Sequence, residues 1–86
     1  MANIIMYKTT YCPYCTRAID LLKRKGHEVN EVIDVTTNDD LRIEMMERSG
    51  GRKTVPQIFI NDTHVGGFDD IAALDKEGKL EAMLNA

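Results

Sequence analysis

Several classes of protein are excluded by what this 86-residue chain lacks. Only two prolines accompany 43% hydrophobic and 29% charged residues, a balance that argues against a disordered chain. No stretch approaches the apolar length that crosses a bilayer, and the opening Met1-Ala2-Asn3-Ile4-Ile5-Met6 lacks the basic start of a secretory signal, so a cytoplasmic chain with no membrane contact is expected. Internal repeats and low-complexity linkers are also missing, and the length accommodates one domain, residues 1–86, with no second.

Charge is short on one side only. The formal net charge is -3, yet residues 1–25 carry five bases (Lys8, Arg17, Lys23, Arg24, Lys25) against one acid (Asp20), and residues 26–86 carry six bases against thirteen acids. A small anionic partner near the first segment is consistent with this asymmetry. A nucleic-acid footprint is not, since it needs a denser basic stripe interleaved with aromatics. Lys23-Arg24-Lys25 also reads simply as a solvated helix end, its cations suited to the C-terminal dipole.

Hydrophobic periodicity predicts alternating elements in the order β-α-β-α-β-β-α-α. Residues 3–7 (NIIMY) read as a buried strand, and a helix begins at Pro13 with Cys15, Ala18, Ile19 and Leu22 on one face and Gly26 as its stop. Residues 28–35 (EVNEVIDV) suit a second strand, parallel to the first in a right-handed βαβ unit. Thr37 with Asp40 resembles a capping box, Asn38 competes as N-cap, and the helix that follows runs to about Ser49 with Leu41 and Met45 inward before Gly50-Gly51. Residues 55–60 (VPQIFI) and 63–65 flank Asn61-Asp62, a turn pair that predicts an antiparallel hairpin, with Pro56 at a strand start or edge. Phe68 to Glu77 reads as a helix stopped by Gly78, and Leu80, Met83 and Leu84 suggest a last short one. Such an order on so short a chain predicts an α/β fold, a compact sheet covered on both faces.

Two cysteines are all the chain has, and both lie in Thr10-Tyr11-Cys12-Pro13-Tyr14-Cys15. A structural zinc site needs about four ligands, and His27 and His64 stand at no recognised spacing from the pair. A disulfide closing so small a ring constrains little unfolded-chain entropy. Electron transfer suits the placement better. Pro13 fits the first helical position, where its missing N–H costs nothing, so Cys12 becomes the N-cap. Its sulfur is positioned to accept from the amides of Tyr14 and Cys15, and the positive helix end favours thiolate over thiol. Cys12 is the expected exposed nucleophile. Cys15, one turn further in beside Ala18 and Ile19, is the expected resolving thiol that closes a redox-active Cys12–Cys15 disulfide.

With CPYC at Cys12–Cys15, TVPQIFI at Thr54–Ile60 and GGFDD at Gly66–Asp70, the chain resembles the glutaredoxins over essentially its whole length, most closely the small bacterial dithiol type. That resemblance implies a thioredoxin-like fold, a four-stranded mixed sheet flanked by helices on both faces, with Val55–Pro56 cis beside the cysteines. It implies a glutathione-disulfide oxidoreductase that reduces protein disulfides and protein–glutathione mixed disulfides. Glutathione would be a co-substrate; no bound cofactor or metal is expected. It further implies that the glutathione cysteine bonds to Cys12 and pairs with the backbone of Val55, in the Thr54-Val55-Pro56 segment. The γ-glutamyl end would meet Gly67, Phe68, Asp69 and Asp70, while Tyr14 walls the cleft and Tyr11 edges it, unless either is a plain surface tyrosine. Gln57 and Arg42 would reach the glycine end.

One departure stands out: the basic residue the family carries three positions before the nucleophile is Thr9 here, with Lys8 one earlier, so either Lys8 swings toward the ligand as the substitute or it points away and leaves Thr9 in its place. Glutathionylated or disulfide-containing proteins, ribonucleotide reductase among the candidates, are the implied partners of a monomer, with no nucleic acid. Two other readings remain at this stage: a dimer holding an iron–sulfur cluster through Cys12 and glutathione, and a thioredoxin-like donor reduced by a flavoprotein. Alkylation of the reduced protein at graded pH tests the assignment of the thiols. Cys12 is expected to react faster than Cys15 near neutrality, and the reverse order exchanges their roles.

Overall fold

The computed structural model describes residues 2–85; Met1 and Ala86, the ends of the expected 1–86 domain, lie outside them. The elements are β1 (Ile4–Lys8), α1 (Pro13–Arg24), β2 (Glu31–Asp34), α2 (Asp39–Arg48), β3 (Gln57–Ile60), β4 (Thr63–Gly66), α3 (Phe68–Lys76) and α4 (Lys79–Leu84). They form the predicted mixed sheet, ordered β2-β1-β3-β4, with β1 parallel to β2 and antiparallel to β3. Among the described residues no helix is long and apolar enough to cross a membrane.

Strand alternation on β1 divides the interior into two layers. Ile4 and Met6 join Ile58, Ile60, Ala18, Leu22, Ile71, Leu80 and Leu84 under α1, α3 and α4. Tyr7, from the opposite face, joins Phe59, Val35 and Met45 under α2. Each fully buried aliphatic side chain contributes about 1.5–3 kcal/mol, so the β1 and β3 residues that feed both layers are the main hydrophobic anchors.

On α1 the buried residues are Cys15, Ala18, Leu21 and Leu22, and Ile19 is only half-buried. The stripe centred on Ala18 and Leu22 therefore turns its Leu21 flank inward, a choice that spacing alone leaves open. Gly26, at φ +84°, closes the helix: its amide bonds to Lys23 O at 2.9 Å, and the His27 amide bonds to Leu22 O at 3.0 Å. Lys25 then ties α1 to the last two helices through Asp75 at 2.6 Å and Glu81 at 3.2 Å.

The face of α2 is thin in apolar residues, with only Met45 fully buried. A polar staple reinforces it. The Tyr7 hydroxyl donates to Glu44 Oε2 at 2.7 Å and accepts from Arg48 Nη1 at 2.6 Å, while the Arg48 guanidinium lies 4.5 Å over the Phe59 ring. Burial first, and the Glu44 contact second, push the Tyr7 hydroxyl pKa upward.

Several boundaries shift by a residue or more from expectation, and three of the differences have a clear local cause. β2 begins at Glu31, not Glu28, because Asn30 ends the pairing: its amide bonds to Ile4 O at 2.8 Å and its Oδ1 accepts from the Ile4 amide at 2.6 Å. β3 begins at Gln57, not Val55, since Pro56 has no N–H for the ladder. Asn38, not Thr37, caps α2, its Oδ1 accepting from the Leu41 amide at 3.0 Å. The hairpin turn matches its prediction, with both Asn61 (φ 51°) and Asp62 (φ 67°) left-handed. Replacing Asn38 by Ala should cost about 1 kcal/mol in a urea titration, and Thr37→Ala much less. An equal loss from both would return the cap to Thr37.

Candidate active site

The sheet places the end of β1 next to the start of α1, and Cys12 occupies that junction as N-cap with extended backbone (φ -155°, ψ 94°). Cys12 and Cys15 are joined as a disulfide. The Cys15 amide donates to Cys12 Sγ at 3.1 Å. Of the two amides expected there, that of Tyr14 makes no such bond in this disulfide form. Cys12 is partly exposed and Cys15 wholly buried. A reagent in solution therefore meets the first sulfur before the second.

Beside this pair lies a cleft of about 260 Å³ walled by Tyr14, Arg52, Thr54, Val55, Pro56, Gly67, Phe68, Asp69 and Asp70. Cys12 is not part of that wall; with Val55 and Phe68 it forms a partly buried apolar rim packed on the core beneath α1. The Tyr14 and Phe68 rings stand 6.1 Å apart. Val55–Pro56 is cis. Among the described residues the amide and carbonyl of Val55 have no hydrogen-bond partner, which leaves one donor and one acceptor at the cleft for an extended ligand.

Opposite Val55, Gly66 and Gly67 turn β4 into α3. At Gly66 (φ +118°) a Cβ would strike the Asp70 carboxylate and Arg52, and at Gly67 it would stand 3.2 Å from Pro56 O. Gly66 is therefore held to glycine by its left-handed backbone and by Asp70 and Arg52, while at Gly67 a side chain would crowd the Pro56 carbonyl. The opening amides of α3 have no partners within the helix and remain available as donors where Phe68, Asp69 and Asp70 line the cleft.

The same corner carries the charge. Asp70 Oδ2 accepts from the Gly67 amide at 2.8 Å and pairs with Arg52 Nη1 at 3.0 Å. The amide first, and Arg52 after it, hold Asp70 below the usual carboxylate range. His64, whose Nε2 donates to Gln57 Oε1 at 2.7 Å, is pushed below the ordinary imidazole pKa by burial and then by Arg52. Gln57 Nε2 in turn donates to Thr54 O at 2.9 Å and to Thr54 Oγ1 at 3.2 Å.

Of the residues expected around a ligand, Tyr14, Thr54, Val55, Pro56, Gly67, Phe68, Asp69 and Asp70 come together in the cleft; Tyr11, exposed to solvent, is not in its wall, and neither are Gln57, Arg42 and Lys8. Gln57 is fully buried, its amide committed to Thr54 and His64, so it supports the wall from behind. Arg42 donates to Val35 O at 3.2 Å, under α2. Lys8 ends β1 in register with Asp34, which hydrogen bonds from Thr36 chiefly, and the Lys8 charge as a lesser cause, hold below the usual range.

Arg52 is the cation that sequence reasoning missed. Its position four residues before Pro56 gave the only available signal.

The depressed Asp70 pKa means that its contribution to stability is fully present above the unfolded value of about 3.9 and is lost as pH falls through the lower folded value. The stability gap between the native chain and Asp70→Asn should thus be widest above about pH 5 and close on acidification. Urea titrations from pH 7 to 2.5 measure this, and a gap independent of pH would remove the ionised carboxylate from the account.

Comparison with known proteins agrees with this geometry. The glutaredoxin family model matches residues 4–65. A glutaredoxin of Pseudomonas aeruginosa is 48% identical over 86 residues, covering 100% of both chains, and glutaredoxin 3 of Escherichia coli K12 is 49% identical over 84 residues, covering 98% of this chain and 99% of its own. Among solved structures, the solution structure of a Brucella melitensis glutaredoxin has a TM-score of 0.83 at 56% identity, covering 98% of this chain and 89% of that one. A buckwheat glutaredoxin–glutathione complex has a TM-score of 0.87 at 29% identity, covering 98% and 77%. A thioredoxin-like sheet, a cysteine pair opening its first helix and this agreement along the whole length place the chain in the glutaredoxin family.

Proposed function

We propose that this thiol–disulfide oxidoreductase draws its electrons from glutathione and reduces both protein–glutathione mixed disulfides and protein disulfides. The observation that carries the reading is the unpaired backbone of Val55, facing a cleft whose opposite wall is the amide-rich start of α3. A γ-glutamyl tripeptide carries groups suited to both walls. Its cysteinyl backbone would pair with Val55 in the manner of an added strand, and its α-carboxylate would take the free amides of Asp69 and Asp70. Asp69, exposed, offers a carboxylate to the ammonium, and Arg52 is the cation in the wall for a ligand carboxylate. The buckwheat protein, solved with glutathione, supports the same choice of ligand.

In the monothiol route the Cys12 thiolate attacks the glutathione sulfur of a mixed disulfide and expels the protein thiolate. A second glutathione thiolate then attacks that sulfur, releasing glutathione disulfide and restoring Cys12. In the dithiol route Cys12 attacks a protein disulfide and Cys15 attacks the resulting bond, leaving two protein thiols and the enzyme disulfide. Two glutathione molecules return the electron pair. The half-exposed Cys12 and buried Cys15 suit this order of attack. The proposal extends to a cytoplasmic monomer, with ribonucleotide reductase a candidate among its protein substrates.

Cys15→Ser should keep removal of glutathione from a glutathionylated protein within about threefold of the native rate while protein-disulfide reduction falls about tenfold or more, and Cys12→Ser should abolish both. Both rates are read with glutathione as the only electron source. An equal loss of the two activities in Cys15→Ser sinks the division of roles, and no turnover with glutathione sinks the choice of reductant.

A further inference from the structure

The cleft does not end at Phe68. The same ring borders a second, more open groove of about 670 Å³, whose other residues are Arg17, Asp20, Lys23 and Arg24 of α1. They lie at i, i+3, i+6 and i+7 and so form one solvent-facing stripe along the helix. Three of the four are cations. Among the described residues none of Arg17, Lys23 and Arg24 forms an ion pair, whereas the neighbouring Lys25 is held by Asp75 and Glu81. The helix dipole accounts for cations in the last turn, but not for Arg17, one turn from the start, nor for the alignment of all three along one groove.

The groove is continuous with the redox site through two aromatic rings. The Arg17 guanidinium lies 5.1 Å from the centre of the Tyr14 ring, and Tyr14 stacks toward Phe68 in the cleft wall. The surroundings sharpen the contrast, because the basic excess of the chain is confined to residues 1–25 and the remainder is acidic. A chain that approaches Cys12 along α1 therefore meets unpaired positive charge in this groove.

Resting on the glutathione-dependent reading above, we infer that this stripe is a docking surface for acidic residues flanking the reactive cysteine of a protein substrate. Glutathione in the cleft leaves the α1 groove open to the polypeptide, with Phe68 shared between them. At about 1.5 Å per helical residue, Arg17 and Arg24 lie roughly 7 and 18 Å along the axis from Cys12. An extended segment rising about 3.3 Å per residue reaches them with acids about two to six positions from its cysteine. Charges at such a rim act mainly on association and are screened by salt, so the selectivity is kinetic and depends on ionic strength.

The test uses three peptides with one glutathionylated cysteine each: acids within six positions, bases within six positions, and acids placed more than ten positions away. At low ionic strength kcat/KM should favour the near-acid peptide over the basic one by about tenfold, with the far-acid peptide between them and the differences shrinking in high salt. The double variant K23E/R24E should invert the preference, and K23Q/R24Q should flatten it. Both should turn over the small mixed disulfide of glutathione and 2-mercaptoethanol at the native rate. A preference that survives K23E/R24E, or near and far acids that accelerate equally, overturns docking at this stripe. A loss shared alike by acidic and basic peptides does the same. Failure of the native protein on the small mixed disulfide instead tells against the glutathione reading, and charge preference is then read from single-turnover attack of Cys12 on the peptides.

Discussion

The fold and its chemistry depend on how the first helix is opened. A residue at the N-cap must satisfy amides that the helix leaves unpaired, and the usual solution is a side-chain oxygen. Here the cap is a sulfur, and the Cys15 amide is directed onto it at 3.1 Å. The interaction is local, but its position is not: β1, which delivers Cys12, is an inner strand of the sheet, with Ile4 and Met6 in one layer and Tyr7 in the other. The Cys12 sulfur is thereby tied to an inner strand that feeds both core layers, while the residue remains partly open to solvent.

The opposite wall of the cleft needs a different kind of support, since Val55 lies outside the ladder and Pro56 cannot join it. Support comes from a chain of side-chain hydrogen bonds that begins behind the wall, at His64 and the buried Gln57. His64 on β4 donates to Gln57, Gln57 donates twice to Thr54, and Thr54 leads directly into Val55. Asp70 closes the corner by reaching back to the Gly67 amide and across to Arg52. Each bond is modest in net free energy, about 0.5–1.5 kcal/mol. A buried amide left without partners would cost more, so the network is held together by the penalty of breaking it.

What was legible in the sequence follows from this division between local and remote causes. Cys12, Pro13 and Gly26 set the helix through neighbours in the chain, and Asn61-Asp62 set the hairpin in the same way, so each could be read directly. Gln57 could also have been placed by parity: it shares the Phe59 face of β3, opposite Ile58 and Ile60, and those two pack in the layer that contains Cys15. The strand alternation assigns it to the α2 side, away from the cleft, and the family resemblance obscured that reading. Arg52 had no comparable signal. It follows two glycines with left-handed backbone, and only the tertiary approach of the α3 start to the Pro56 segment gives it Asp70 as a partner. Asn38 prevailed over Thr37 for a reason equally invisible in the pattern, the position at which the chain leaving Val35 turns into α2.

The arrangement at the N-cap also sets a direction for the chemistry. Two neutral sulfurs in a disulfide gain little from a helix dipole, whereas a thiolate at the same place gains the field of the whole first turn and hydrogen bonds from its amides. Oxidation of the pair removes the one species those donors favour most. Under the proposed mechanism the cap therefore favours the reduced protein over the oxidised one, which would ease reduction of the disulfide by a small thiol and departure of Cys12 from a mixed disulfide. In the proposed cycle Cys12 must first bond and then depart, and donors that favour its thiolate serve both halves.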